Sequence, residues 1–141
     1  MLSPFYYYVM NRLDYYDILP EGMEVVSYGT FDGCSSLEAV TVPNSVVKIG
    51  SAAFGGCGQI SRVVIGKKVT TIADSAFAGC SLLSTVYLPK SLTYIGNSAF
   101  SGCLLLSGVH YAGTARDFAK ITVESGNTTL TAATLKTGQK Y

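Results

Sequence analysis

The apolar positions along the chain recur with a single period. Phe31, Phe54, Phe77 and Phe100 are each 23 residues apart, and so are Cys34, Cys57, Cys80 and Cys103. Other slots keep the same register. Leu37, Ile60, Leu83 and Leu106 share one slot. Val40, Val63, Val86 and Val109 share the next, then Val42, Ile65, Leu88 and Tyr111, and then Ile49, Ile72 and Ile95. Within each unit a triplet such as Val40-Thr41-Val42 or Val86-Tyr87-Leu88 alternates inward and outward, as a strand requires. Pro43 and Pro89 end their strands, because proline has no N–H to give to a further pairing. A second short extended piece ends at Ile49-Gly50, Ile72-Ala73 or Ile95-Gly96, and a tight turn through Ala-Phe-x-Gly-Cys follows. A unit this short cannot bury its own apolar face. Stacking units about 4.8 Å apart predicts one continuous core, with Phe over Phe and Cys over Cys.

Repeats of 20–29 residues with an L-x-x-L-x-L core mark leucine-rich repeats. The predicted fold class is therefore a right-handed leucine-rich repeat solenoid, β-rich, with parallel strands and capped ends. Three regions follow: residues 1–28 as an N-terminal cap and partial repeat, 29–111 as four repeat phrases, and 112–141 as a C-terminal cap and tail. Phe5 to Ile18 reads as a β-hairpin or two short strands whose tyrosines cover the core edge; an aromatic sugar-binding patch is the rival reading. Thr114 to Asp117 fits a capping box opening a short helix over Phe118. Ile121, Val123, Leu130 and Leu135 are expected to finish the cover, and Lys136 to Tyr141 to fray.

The pattern L-x-x-V-x-[VIL]-P-x-x-[VL]-x-x-I-G-x-x-A-F-x-G-C resembles the BspA-like, Treponema-type leucine-rich repeat family, most strongly from Ile18 to Tyr111. The second unit departs from it, with Gly66 in the proline slot and Ala73 in the glycine slot. The resemblance implies a secreted or cell-surface adhesion module whose partner is a protein, such as a host extracellular-matrix or cell-surface protein.

Composition narrows the classes further. The 141 residues carry a net charge of +1 and only 13% charged residues, about half the usual share. No basic excess exists to hold nucleic acid, so none is expected as a partner. The longest uncharged run, Ser91 to Ala115, is broken by Gly96, Asn97, Gly102 and Gly108 and does not read as a membrane span. The start, Met1-Leu2-Ser3-Pro4, lacks the basic region of a secretory signal. Either the protein stays inside, or the chain is cut from a longer precursor.

Candidate chemistry is sparse. Equivalent cysteines on adjacent coils lie within disulfide reach, yet one cysteine per coil in an inward slot reads better as a ladder of small buried thiols. No C-x-x-C spacing points to zinc. His110, the lone histidine, falls in an outward, solvated slot without an acid or nucleophile beside it. The pairs Asp14 with Asp17 and Glu21 with Glu24 read as surface, Gly66-Lys67-Lys68 as a turn, and Asn127-Thr128-Thr129 as a glycosylation sequon. No catalytic residue, metal site or cofactor is expected.

The outward strand positions are the candidate binding face. Thr41, Arg62, Val64, Thr85, Tyr87 and His110 should align across neighbouring coils on the concave side, with Lys67, Lys68 and Lys90 as a mild positive rim. The expected function is non-enzymatic protein recognition or adhesion. The alternatives are a structural spacer in a larger surface protein, or a glycan-binding or glycan-active module.

Overall fold

A computed structural model describes residues 16–19 and 21–141. The strands come in pairs, one pair per coil. In chain order they are β1 (Tyr16–Ile18), β2 (Val25–Val26), β3 (Ala39–Thr41), β4 (Lys48–Ile49), β5 (Arg62–Val64), β6 (Thr71–Ile72), β7 (Thr85–Leu88), β8 (Tyr94–Ile95) and β9 (Gly108–Tyr111). After them come helix α1 (Ala115–Phe118), β10 (Thr122–Val123), helix α2 (Thr128–Ala132) and β11 (Thr134–Lys136). The odd strands form a six-stranded sheet and the even strands a five-stranded one; every pairing is parallel. The register repeats the sequence period, as in Val40 beside Val63, Val63 beside Val86 and Val86 beside Val109. The chain is a parallel-strand solenoid of about 5 turns.

The core is a set of columns. Phe31, Phe54, Phe77 and Phe100 are fully buried and stack ring on ring, with centroids 5.1, 5.2 and 5.4 Å apart. Each such ring contributes roughly 1.5–3 kcal/mol through burial alone. Beside them, Cys57, Cys80 and Cys103 point their thiols at the backbone carbonyls of Phe31, Phe54 and Phe77. The turn that holds each Phe uses left-handed backbone twice. Gly79 (φ 76) closes it, and Ser75 (φ 57) opens it at a cost that glycine would not incur.

The polar but uncharged composition has a structural use. The hydroxyls of Ser61, Ser84 and Ser107 donate to the carbonyls of Glu38, Ser61 and Ser84, each one coil back. Thr70 and Thr93 repeat this on Val47 and Thr70. Short hydroxyls in register therefore join coil to coil where charged side chains would reach into solvent. The departure at Gly66 has a steric reason: a Cβ there would collide with the carbonyl of Pro43.

The ends differ from expectation. Tyr16, Asp17 and Ile18 pair in parallel with Ala39, Val40 and Thr41, in the ordinary 23-residue register. A short strand does lie here, as one of the two expected alternatives has it, and it is the first strand of the long sheet, because its residues sit one period before β3. Residues 1–15, with the rest of the aromatic cap and Asp14, lie outside the described residues. At the other end the capping box forms, with Thr114 Oγ1 accepting from the Asp117 amide at 3.1 Å and Asp117 accepting from the Thr114 amide at 3.2 Å. Phe118 packs edge-on against Tyr111 with centroids 5.2 Å apart, and Ile121 and Leu130 are buried as expected.

Leu135 is not part of that cover. It is 37% exposed, because β11 has a described neighbour only on its β9 side. The tail is not frayed either. Lys136 pairs with His110, the Gly138 amide donates to the Gly113 carbonyl at 2.8 Å, and the Gln139 amide donates to the Tyr111 carbonyl at 3.1 Å. The segment continues the solenoid as one longer coil. Its register steps are 26 residues in one sheet and 28 in the other, so the 23-residue period could not announce it.

Candidate functional site

Strand alternation sends Val40, Val63, Val86 and Val109 inward and leaves Thr41, Val64, Tyr87 and His110 on the outer face of the long sheet. Arg62 and Thr85 are opposite each other in the adjacent row. The structure joins three of these residues into one stack. The Arg62 guanidinium lies 4.9 Å from the centre of the Tyr87 ring, and Tyr87 stacks on His110 at 4.4 Å with the planes only 16° apart. Thr85 is half-buried beside Arg62. Thr41 and Val64 stand apart from the stack and line a neighbouring cavity.

His110 is not solvated as expected. It is half-buried between the Tyr87 ring and the tail, where its Nδ1 lies 3.2 Å from Gln139 Oε1. Tyr141 meets Tyr87 edge-on at 5.2 Å. Gln139 and Tyr141 are thus part of this surface. A tyrosine at the end of the sequence was visible, but no period placed it over the sheet.

Two cavities adjoin the stack. One of about 490 Å³ lies between the strand ends and the tail, lined by Lys67, Pro89, Lys90, Ser91, Ala112, Gln139, Lys140 and Tyr141. The second, about 240 Å³, runs along Thr41, Val64, Gly66 and Lys67 to Glu21, and shares Lys67 and Tyr141 with the first. Lys67 and Lys90 occupy one repeat slot on adjacent coils. Lys68 lines neither cavity.

Other candidates resolve structurally. The four cysteines are buried and none is in a disulfide. Burial holds the Cys80 thiol up at about 12 and Cys103 at about 11, so neither is a thiolate nucleophile near neutral pH. Asn127 is buried, and its amide nitrogen donates to the carbonyls of both Gly96 and Glu124. The folded sequon therefore presents no amide for glycosylation. Asp117 forms the one ion pair among the described residues, with Lys120 at 4.0 Å. Its carboxyl is held below the usual range, first by the Thr114 hydroxyl and then by the Thr114 amide. Among the described residues no helix is long and apolar enough to cross a membrane.

Comparison with known proteins places these features in a family. The model of the BspA type leucine rich repeat region matches residues 5–129 in six copies. A leucine-rich repeat protein of T. pallidum has 30% identity and a TM-score of 0.67, with 78% of this chain and 51% of that one covered. A leucine rich cell surface protein of Faecalibacterium prausnitzii has 31% identity and a TM-score of 0.60, over 82% of this chain and 36% of that one. A leucine-rich repeat protein of Bacteroides ovatus, at 23% identity and a TM-score of 0.64, shares the fold over 80% of this chain. The chain thus spans about half or less of the solved proteins it resembles. No curated protein matches it.

Proposed function

The chain belongs to the BspA-type leucine-rich repeat family, and from that premise we propose that it is a non-enzymatic recognition module of a bacterial surface protein, binding a protein partner through the outer face of its long sheet. One observation carries the reading: Arg62, Tyr87 and His110, from three adjacent strands, form a continuous stack with open cavities beside it. Planar donors and aromatic rings of this kind dominate binding energy at protein interfaces. Thr41, Val64 and Thr85 complete the contact face. A solenoid presents such a row on a rigid backbone, so little ordering entropy opposes binding. The matched cell-surface protein supports a surface location, and adhesion to a host matrix or cell-surface protein is the form of recognition we favour.

The test is capture of a partner from host matrix proteins, followed by variants. Arg62→Ala and Tyr87→Ala should each weaken binding by at least about 1 kcal/mol without lowering the melting temperature by a like amount. Undiminished binding in both would remove the proposed face. If no protein is captured and the chain works only as a length of a larger protein, the spacer reading stands instead.

A further inference from the structure

The lysines beside the stack carry a more specific reading. Charge is scarce in this chain, with ten Lys and Arg in 141 residues, yet three lysines converge on one cavity. Lys67 and Lys90 come from the same slot of adjacent coils, and Lys140 joins the lining from the tail. None of the three is in an ion pair among the described residues. Among the described residues the acidic side chains that share a cavity lining with them are Glu21, in the second cavity with Lys67, and Asp117, in a third, smaller cavity with Lys90, where Lys120 already pairs with it. Three cations left together repel one another, and an anion placed between them removes that repulsion. Tyr141 adds a wall and keeps its hydroxyl buried without a hydrogen-bond partner.

The shape selects the kind of anion. At about 490 Å³ the cavity is far larger than an inorganic ion needs, and it adjoins the second cavity, with Lys67 and Tyr141 lining both. Together they form a groove across the ends of successive strands. In an extended peptide side chains alternate between faces, so those on one face recur about every 6.6 Å, and carboxylates two residues apart can reach long lysine side chains on coils about 4.8 Å apart. We propose that this groove binds an acidic peptide segment of the partner protein, whose carboxylates sit among Lys67, Lys90 and Lys140 while its other end, neutral or basic, approaches Glu21. The proposal rests on the sheet face being a recognition surface and names the chemistry recognised there.

The probe is a capped tetra-glutamate peptide, titrated into the isotopically labelled full chain and followed by amide chemical shifts. Shifts should saturate and should centre on residues 67, 90, 91, 112 and 139–141. Affinity should fall at least about tenfold in Lys67→Ala/Lys90→Ala and also between about 50 and 300 mM salt. Lys48→Ala/Lys68→Ala removes the same net charge elsewhere and should bind as the parent does. Capped tetra-glutamine should not shift these resonances. Three results would overturn the proposal: equal binding by the two double variants, a response to tetra-glutamine as large as that to tetra-glutamate, or inorganic phosphate shifting the same amides as strongly. Arg62 lines neither cavity, so Arg62→Ala should leave peptide binding intact while weakening capture of the whole partner. The two readings therefore fail separately.

Discussion

The amide N–H of Phe100 donates to Oδ1 of Asn127 at 3.0 Å. Earlier in the ladder, the amides of Phe31, Phe54 and Phe77 donate instead to the backbone carbonyls of Ala53, Ala76 and Ala99, one coil on. Phe100 has no such alanine after it, and a side-chain amide takes the carbonyl's place. Thr129 completes the substitution: its hydroxyl donates to the Phe100 carbonyl at 2.7 Å, as the thiols of Cys57, Cys80 and Cys103 do to the preceding phenylalanines. The segment from Asn127 to Thr129 thus supplies with side chains what the Ala-Phe-x-Gly-Cys turn supplies in the earlier coils.

Asn127→Ala should accordingly be costly for a residue near the end of the described chain. It strips the Phe100 amide and the Gly96 and Glu124 carbonyls of their partner, and a buried unsatisfied group costs about 1–3 kcal/mol. Urea unfolding should show the loss, with Thr129→Val losing less because one bond is removed. A midpoint like that of the parent would mean that this end is held by α1 and β11 without the Asn127 bracket.

Phe77→Ala tests the ladder itself. Phe77 stacks between Phe54 and Phe100, so the cavity it leaves is bordered by three coils. The expected loss is about 3–5 kcal/mol, a large part of a total stability of about 5–15 kcal/mol. The exposed Lys68→Ala is the control. Matching urea midpoints would show that stability does not reside in the phenylalanine column.

The left-handed slots make opposite predictions for two small changes. Gly79→Ala puts a Cβ on a φ of 76°, 3.5 Å from Gly56 Cα, and should destabilise by about 1–2 kcal/mol. Ala52→Gly, at a φ of 53°, relieves the same strain and should be neutral or stabilising, because the added chain entropy of glycine offsets part of the gain. Thermal melts of both variants decide it. A destabilised Ala52→Gly would show that the Ala52 methyl packs for more than its backbone costs.

The solenoid was legible because identical residues recur in identical environments. Phe31 to Phe100, the valine column and the outward row each needed only the period and strand alternation. Gln139 and Tyr141 were not legible: the last coil is longer than the rest, and nothing local in Thr137 to Tyr141 signals that it lies against Tyr87 and His110. Tyr16 to Ile18 were legible as a strand, but their pairing with β3 was not, for a related reason. The tyrosine-rich stretch before them resembled a hairpin, and their own place 23 residues before β3 was masked by a side-chain pattern unlike the valine-rich strands. The joining of the outward row to the lysine cavity depends on where long side chains turn, which no periodicity carries.

The thiols give a pH prediction with a definite sign. Burial raises Cys80 to about 12 and Cys103 to about 11 from an ordinary value of 9.0. Cys57 is raised as well, first by its contact with Cys34 and then by burial. The folded state holds these protons more tightly than the unfolded chain does. Their contribution is therefore fully present below pH 9 and is lost as pH rises through about 11 to 12. Burial raises the Tyr111 hydroxyl too, which adds to the slope in the same direction. Urea midpoints should hold steady at neutral pH and decline above about pH 9, with a shallower decline in Cys80→Ala. The same burial should keep the Cys57, Cys80 and Cys103 thiols nearly inert to a labelling reagent at neutral pH, whereas the contact with Cys57 draws the Cys34 thiol down; four thiols should appear once the chain is unfolded. Two thiols in denaturant would mean that a cysteine pair is oxidised. A Cys80→Ala slope equal to the parent's would assign the alkaline loss to groups other than Cys80.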